Sequence, residues 1–397
     1  MFQKYSKKAL LLLGVIALIG AILLPTLYAA AFNPDPNTLD IDGSTTVYPV
    51  VQVSMTRFPI SFPGTIMNVT STGSGHGQSY ILSGQVDIGM SSSNCNDANA
   101  GLNGANAAIY SCTGTGGRPA LVDTQFARDA VTMIANRNFI NSTCGWSSPN
   151  LTLAQIQGIY EGTITNWNTL YSGCPSQTIV PRARIVGSGT RASFLALANV
   201  CSTSDGKTCI SGGVVEETVI TNTGLPREAG NPQMEFDIDN NPGQIGYIGL
   251  AFEDANNIQF SVNGVFPNAT TVLNGTYPMG RVLHLFTAPT SGSPSNNKQR
   301  VQDYLSWIMS PEGQADVQNV GYVPMAPVAP DWDVNLDHNC NVLDLVSIGG
   351  FWNQTAPASG DPNDPLIRGW IRQDVNWDGH VNVLDLVSVG THWGSHW

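Results

Sequence analysis

The sequence predicts an α/β protein with parallel or mixed sheets and crossover helices, followed by a small all-α domain. Apolar runs such as Val86–Met90 and Val131–Ala135 are typical of buried strands, and they alternate with helical spacing such as that of Val301–Met309. From about residue 331 the composition changes to nine Asp and two Arg with no Glu or Lys, which supplies −7 of the formal charge of −12. The Pro-rich stretch 324–330 between the two parts is predicted to be a stiff linker.

Residues 1–31 have the features of an export signal. Three lysines precede an apolar run of 16 residues, and small residues near Ala31 offer a cleavage site. The run is short for a membrane span of ~20 residues, so cleavage is the preferred interpretation and a retained anchor is the alternative. We therefore expect a secreted or cell-surface protein. The acidic charge argues against a nucleic-acid partner.

Cysteine usage agrees with export, because thiols that lie close together in an oxidising compartment usually pair. The order along the chain suggests the pairs 95–112, 144–174 and 201–209, with Cys340 left over. This pairing is a hypothesis, since six cysteines allow 15 connectivities. Six sequons are allowed glycan acceptors, which would make the chain a glycoprotein. They are Asn68, Asn141, Asn150, Asn268, Asn274 and Asn353.

Three clusters of glycine and hydroxyl residues lie where strands are predicted to meet helices. They are Asp42–Thr46, Ser71–Gly77 and Arg184–Arg191. Glycine lets backbone N–H groups approach a ligand closely, and free N–H groups at a helix start favour an anion. An arginine beside such a loop adds a bidentate donor for a tetrahedral oxyanion. Each cluster alone is more often a plain loop, but together they predict a dehydrated oxyanion pocket with few full charges.

The order of these clusters resembles that of the phosphate-binding components of bacterial and archaeal ABC transporters. The resemblance covers about residues 38–326, and its motifs are Asp42–Pro49, Gly73–Gly75, Val86–Ser93, Ile156–Trp167, Arg184–Thr190, Pro242–Ile248, Ser310–Gln314 and Gly321–Pro324. It implies a two-lobed periplasmic-binding-protein-like fold over 37–328 that closes by a hinge. Lobe one would comprise about 37–125 and 278–328, and lobe two about 126–277.

The resemblance further implies a receptor that captures phosphate and passes it to an ABC permease, with no enzymatic activity. Its implied ligand set is Thr45, Thr46, Ser74, Ser92, Arg184, Ser188, Gly189 and Thr190. Arg184 would be the bidentate cation. Some relatives have Asp in place of Ser92, where it accepts a phosphate proton and so discriminates against sulfate; sulfate or another oxyanion is therefore the competing ligand. Arg191 is interpreted as a surface residue.

The tail contains a repeated twelve-residue pattern, at 333–344 and again at 374–385. Oxygen donors fall at loop positions 1, 3, 5, 9 and 12, and position 7 can supply a backbone carbonyl, which is the EF-hand pattern for Ca²⁺ with Asp in place of the usual Glu at position 12. The sequence therefore predicts two calcium sites. The first would use Asp333, Asn335, Asp337, Asn339, Asn341 and Asp344, and the second Asp374, Asn376, Asp378, His380, Asn382 and Asp385. Position 6 is Gly379 in the second loop but His338 in the first, where a positive φ is costly.

Apolar residues at helical spacing follow each loop, and we expect these two faces to pack on each other. They are Val342, Leu345 and Val346 in the first repeat and Val383, Leu386 and Val387 in the second. The tail resembles dockerin domains, which bind cohesin modules, although its repeats lie further apart and 357–372 looks like an insertion. The partner would be a cohesin-like module, a surface-layer protein or the molecule's own first block. The alternative function is a surface scaffold or matrix protein. The sequence shows no His-based triad or Gly-X-Ser-X-Gly elbow, which argues against a hydrolase.

Overall fold

The computed structural model describes residues 34–95, 109–291, 298–356 and 371–397. Residues from Pro36 to Trp397 form one compact unit. The predicted export signal at 1–31 and most of the expected insertion at 357–372 lie outside the described residues. None of the helices within the described ranges is both long enough and apolar enough to span a membrane.

Strands and helices alternate through most of the chain, as the sequence predicts. The strands are β1 (Thr38–Gly43), β2 (Ile66–Thr70), β3 (Ile88–Ser91), β4 (Val122–Asn136), β5 (Asn150–Leu151), β6 (Val180–Pro181), β7 (Gln244–Gly249), β8 (Asn257–Gln259), β9 (Ser261–Val262), β10 (Gly280–Thr287) and β11 (Val323–Pro324). The helices are α1 (Tyr48–Ser61), α2 (Ser74–Leu82), α3 (Leu153–Tyr160), α4 (Trp167–Leu170), α5 (Gly189–Leu197), α6 (Glu216–Asn222), α7 (Asn231–Asn240), α8 (Ala269–Leu273), α9 (Gln299–Ile308), α10 (Pro311–Asn319), α11 (Val342–Gly349) and α12 (Val383–Gly390).

The main sheet is mixed, with the strand order β2-β1-β3-β10-β4-β7-β6. Strand β1 is parallel to β2 and β3, whereas β10 and β4 run antiparallel to their neighbours. The crossover helices α1 and α2 connect the parallel strands, as parallel pairing requires. The sequence-predicted strands at 86–90 and 131–135 overlap β3 and β4, and the predicted helix at 301–309 overlaps α9.

Two hydrophobic cores meet along the 15-residue strand β4. Its first part contributes Phe126 and Ala127 to a core with α1 and α9, and its second part contributes Val131 and Met133 to a core with α3 and β7. A strand that passes from one core into the next joins two lobes with few connections, which is the arrangement of a hinged binding protein. The predicted two-lobed α/β fold with a mixed sheet is confirmed.

All three predicted disulfides are confirmed. Cys95 bonds Cys112, Cys144 bonds Cys174, and Cys201 bonds Cys209. Each closes a local loop of the first block, and Cys340 in the tail is a buried free cysteine.

The tail folds around the two repeats, and of the expected packing faces Leu345 and Leu386 pack against its core whereas the four valines do not. Val346 and Val387 are 64% and 58% exposed, whereas Ile348 and Val389, two residues further along each helix, are fully buried. The reason is that loop residues such as Val334, Val375 and Val381 complete the tail core. The buried face of each helix therefore includes Ile348 or Val389 and excludes Val346 or Val387.

The Pro-rich linker is fixed on lobe one. The side-chain oxygen of Gln314 accepts hydrogen bonds from the backbone N–H groups of Met325 and Ala326, at 2.6 and 3.1 Å. Arg372 of the tail donates to the carbonyls of Pro330 and Asp333, at 2.8 and 2.7 Å. The tail is therefore held against the lobe that contains α10.

Candidate functional site

The three glycine and hydroxyl loops converge between the lobes. The first loop connects β1 to α1, the second connects β2 to α2, and the third ends where α5 begins. Gly75 N–H of lobe one donates to the Gly187 carbonyl of lobe two at 2.8 Å. A side chain at Gly189 would overlap the Ser74 hydroxyl. Glycine at this position is therefore what allows the two loops to approach.

Hydroxyl groups of the two lobes contact each other directly. Thr46 Oγ1 lies 2.9 Å from Thr190 Oγ1, and Ser193 of α5 donates to the Ser92 carbonyl at 2.8 Å. Within lobe one, Ser74 Oγ lies 3.4 Å from Ser92 Oγ. These groups are buried, so an anion bound among them would exchange water for protein donors.

Ser188 is placed at the helix start, as the resemblance implies. It is the N-cap of α5, and its hydroxyl oxygen accepts from the Arg191 N–H at 3.3 Å. Its own O–H remains able to donate to a ligand. Gly189 and Thr190 follow in the first turn of α5. The backbone N–H groups of a helix's first turn have no acceptor within the helix, so they can donate to an anion.

Arg184 is buried, and no carboxylate among the described residues pairs with it. Its Nη1 donates to Asn231 Oδ1 at 2.7 Å, and its Nη2 donates to Thr45 Oγ1 and to the Ala229 carbonyl at 2.9 and 3.0 Å. It is 1% exposed, and within the described ranges no Asp or Glu forms an ion pair with it. Burial, together with the nearby Arg281, lowers its pKa to about 10. The guanidinium is therefore still charged at neutral pH, and it favours an incoming anion.

Arg281, a second arginine that the sequence reasoning missed, lies at the same site. Its Nη2 lies 2.6 Å from Asp129 Oδ2, 3.3 Å from Thr190 Oγ1 and 3.5 Å from Thr46 Oγ1. Asp129 is fully buried, so this pair is neutral overall and leaves Arg184 as the uncompensated charge. The only local signal is an arginine near the start of β10, a strand that lies about 90 residues beyond the third loop.

Asn231 was also missed. It is fully buried at the start of α7, and its Nδ2 donates to Thr46 Oγ1 at 3.0 Å while its Oδ1 accepts from Arg184. It therefore connects the guanidinium to the hydroxyl cluster. Nothing in the local sequence around an asparagine at a helix start distinguishes this role from ordinary capping.

The surface interpretation of Arg191 is wrong. Its side chain is 1% exposed and forms a two-point contact with the fully buried Glu216, with Glu217 at 2.7 Å. Hydrogen bonds and charge from Glu216 raise its pKa despite burial. Arg191 holds the first turn of α5, and therefore the third loop, in place.

An open cleft of about 540 Å³ adjoins the cluster. Thr45, Tyr48 and Pro49 of lobe one and Ala229 and Gly230 of lobe two contribute to its walls. A smaller cavity of about 190 Å³ is lined by Ser92 of lobe one and Ser193 of lobe two, together with Arg281. Both cavities therefore have walls from the two lobes.

In the tail, both repeats form loops in which side-chain oxygens converge. Asp337 N–H donates to both Asp333 Oδ1 and Asn335 Oδ1 at 3.1 Å, and Asp378 N–H makes the equivalent bonds to Asp374 and Asn376 at 3.1 and 3.2 Å. Position 6 has φ of 67° at His338 and 80° at Gly379. Both loops therefore turn alike, with strain in the first.

Positions 9 and 12 of each loop also start the following helix. Asn341 and Asp344 form a capping box for α11, and Asn382 and Asp385 form one for α12. Asp344 and Asp385 are fully buried. Position 7 is solvent-exposed at both Asn339 and His380.

Two lobes joined by a crossing strand, with an anion-directed cluster between them, define the class of hinged solute-binding proteins. The family model described as PBP superfamily domain matches residues 30–312, and this chain belongs to that family.

The chain is 27% identical over 301 residues to the phosphate-binding protein PstS of Bacillus subtilis, covering 75% of this chain and 84% of the relative. It is 24% identical to protein SphX of Synechococcus elongatus, covering 78% and 83%. Among solved structures, it superposes with a TM-score of 0.57, at 24% identity, on a putative phosphate ABC transporter substrate-binding protein with bound phosphate from Clostridium perfringens, covering 73% of this chain and 100% of that one. An ABC-type phosphate transport receptor from Vibrio cholerae gives a TM-score of 0.51 at 21% identity, covering 72% and 99%. At these identities the two structures establish the fold.

Proposed function

We propose that this protein is an extracytoplasmic receptor that captures inorganic phosphate and delivers it to an ABC permease. The observation that carries the proposal is Arg184, a buried guanidinium with no carboxylate partner in the described ranges, surrounded by hydroxyls of both lobes. Relatives named for phosphate binding cover most of the first block. A tetrahedral anion supplies the missing charge and accepts donors from both lobes, which favours the closed arrangement.

The ligand set is almost wholly hydroxyl, amide and guanidinium, and this bears on the choice between phosphate and sulfate. Asp129 is held by Arg281 and by the Leu250 N–H at 2.9 Å, so its lone pairs are largely occupied. Serine and threonine hydroxyls can accept as well as donate. They can therefore receive the proton of a partly protonated phosphate. Sulfate or another oxyanion is the competing ligand.

The test is calorimetry of the purified protein with phosphate and with sulfate. Phosphate should bind with a dissociation constant at least about 100-fold below that of sulfate, which corresponds to ~2.7 kcal/mol. Equal affinities would make the protein a general oxyanion receptor. Absence of binding to both would leave the scaffold alternative, in which the fold is used structurally.

For the tail, we propose two calcium sites formed by the repeated loops. Asp333, Asp344 and Asp385 are fully buried, and none of them forms an ion pair with Lys, Arg or His in the parts of the chain that the structure describes. They accept hydrogen bonds from backbone N–H groups, and a bound cation would offset the remaining cost of burying their charge. All ligands in each set are oxygen donors apart from the side chain at His380, where the backbone carbonyl would serve, and this chemistry suits Ca²⁺.

A tryptophan offers a direct readout of metal binding. Trp397 Nε1 donates to Asp333 Oδ2 at 2.6 Å, so a cation at the first loop competes for that oxygen. Indole fluorescence should change when Ca²⁺ is added and should return on chelation. The Trp397→Phe variant should lose most of this signal, while calorimetry still detects both sites. A titration without heat would refute the calcium proposal.

The tail would then tether the receptor through a cohesin-like or surface-layer partner. Support comes from the exposed apolar side chains of α11 and α12, among them Val342 and Val383 at 56% and 57% exposure. Pull-down of a purified cohesin module with and without calcium tests this assignment, and calcium-independent or absent binding would contradict it.

A further inference from the structure

The cleft of about 540 Å³ lies directly beside the buried guanidinium. Arg184 Nη2 donates to Thr45 Oγ1 and to the Ala229 carbonyl, at 2.9 and 3.0 Å, and both Thr45 and Ala229 line the cleft. Thr45 is also half-exposed, unlike the fully buried Thr46 next to it. One wall of the cleft is therefore made by the atoms that position the cation of the anion site.

The size of the cleft exceeds what a bare anion needs. At ~30 Å³ per water it holds about 18 water molecules, and it falls within the ~300–1,000 Å³ typical of sites for small organic ligands. The rings of Tyr48, Pro49, Pro232 and Phe252 line it, and they come from both lobes. These side chains offer an organic group the apolar contact that inorganic phosphate cannot use.

The charge of the cleft restricts what that organic group can be. Its lining includes three carboxylates, Glu235, Glu253 and Asp254, and no Lys or Arg; outside the lining, Arg137 pairs with Glu253 at 3.6 Å, so the wall keeps an excess of negative charge. A second phosphate or a carboxylate would be repelled there, whereas hydroxyl or amine groups would find acceptors.

We propose that the site also binds phosphate as a monoester of a small neutral or amine-bearing alcohol, with the phosphoryl group at Arg184 and the organic group in the cleft. This inference rests on the proposed phosphate-binding function. The organic group of the ester would extend from the anion site into the cleft past Thr45 and Ala229, the two residues shared by both.

The experiment compares inorganic phosphate, glycerol 3-phosphate and phosphoethanolamine by calorimetry on the full chain. The variant Gln52→Trp fills the cleft from α1, and Met55→Trp, on the same helix but outside the lining, is its matched control. The wild type should bind both esters within about tenfold of inorganic phosphate. Gln52→Trp should weaken the esters at least tenfold and leave inorganic phosphate within about twofold, and Met55→Trp should change none of the three.

The outcomes separate this inference from the function on which it rests. Binding of inorganic phosphate without either ester at millimolar concentration overturns the inference and leaves the receptor function intact. Esters that bind equally well to Gln52→Trp also overturn it, because their organic group would then lie elsewhere. Failure of all three ligands to bind refutes both proposals.

Discussion

Replacing Arg184 by alanine should separate binding from folding. The guanidinium is 1% exposed and makes four hydrogen bonds, to Thr45, Glu228, Ala229 and Asn231, but no ion pair within the described ranges. Removal of a buried charged partner typically costs 2–5 kcal/mol of binding free energy. At about 1.4 kcal/mol per tenfold, phosphate affinity should fall roughly 30-fold to several thousand-fold.

The cost to folding should be smaller than the cost to binding. The lost hydrogen bonds leave acceptors unpaired, but the variant also no longer buries a charge that lacks a carboxylate, and these two effects oppose each other. Calorimetry with phosphate and thermal unfolding without ligand measure the two quantities. Arg184→Lys keeps the positive charge but loses the planar guanidinium that can donate two parallel hydrogen bonds. Its phosphate affinity should therefore lie between those of the wild type and Arg184→Ala.

The matched control is Arg137→Ala, an arginine of the same lobe whose side chain is 38% exposed and pairs with Glu253 at 3.6 Å. It should bind phosphate like the wild type, because exposed ion pairs contribute little. Phosphate affinity of Arg184→Ala within about threefold of the wild type would remove this residue from the site and refute the reasoning.

Three further changes test the surroundings. Arg281→Met should lower the free energy of unfolding by about 3–5 kcal/mol, measured by denaturant titration, because it leaves the fully buried Asp129 without its basic partner; an unchanged midpoint would show that the pair contributes nothing. His338→Gly should stabilise the tail by about 1 kcal/mol, since φ is 67° there; a lower melting temperature would mean that the contact of the His338 ring with the Trp397 ring, whose centroids lie 4.5 Å apart, outweighs the strain. Burial and Asp254 raise the pKa of Asp239 to about 6, so its contribution to stability should decrease as pH rises from about 4 through 6. Asp239→Asn should flatten that part of the unfolding profile, and an unaltered profile would assign the pH dependence to another group.

The anion cluster was accessible to sequence reasoning because its parts are local. A loop such as Asp42–Thr46 carries its own signature, and the structure brings all three predicted loops together. Arg281 and Asn231 were not accessible in this way, because their roles arise from strand pairing and from the packing of α7 against lobe one, which no short window encodes. The same holds for Arg191, whose burial depends on Glu216, 25 residues away.

In the tail, the sequence pattern predicts the loops but not the buried face of each helix. The spacing of ligands in the two loops is local, and the loops form as expected. The buried face of each helix depends on tertiary packing, because α11 and α12 pack against loop residues of both repeats, such as Val334, Val375 and Val381. A helical period alone therefore placed Val346 inside, although it is 64% exposed.

Within the described residues, the first block buries the Arg184 guanidinium without a carboxylate partner, and the tail buries Asp333, Asp344 and Asp385 without a basic partner. An anion bound between the lobes would neutralise Arg184, whereas a cation in the tail would neutralise Asp333 and its neighbours. The tail is attached to lobe one through Arg372, the linker and Gln314, and within the described ranges none of the hydroxyls of the anion cluster belongs to that attachment. Chelation of metal should therefore loosen the tail, seen as faster amide exchange in α11 and α12, while phosphate affinity stays within about twofold. A parallel loss of phosphate binding would show instead that α10, which supports both the linker and the first lobe, transmits the state of the tail to the anion site.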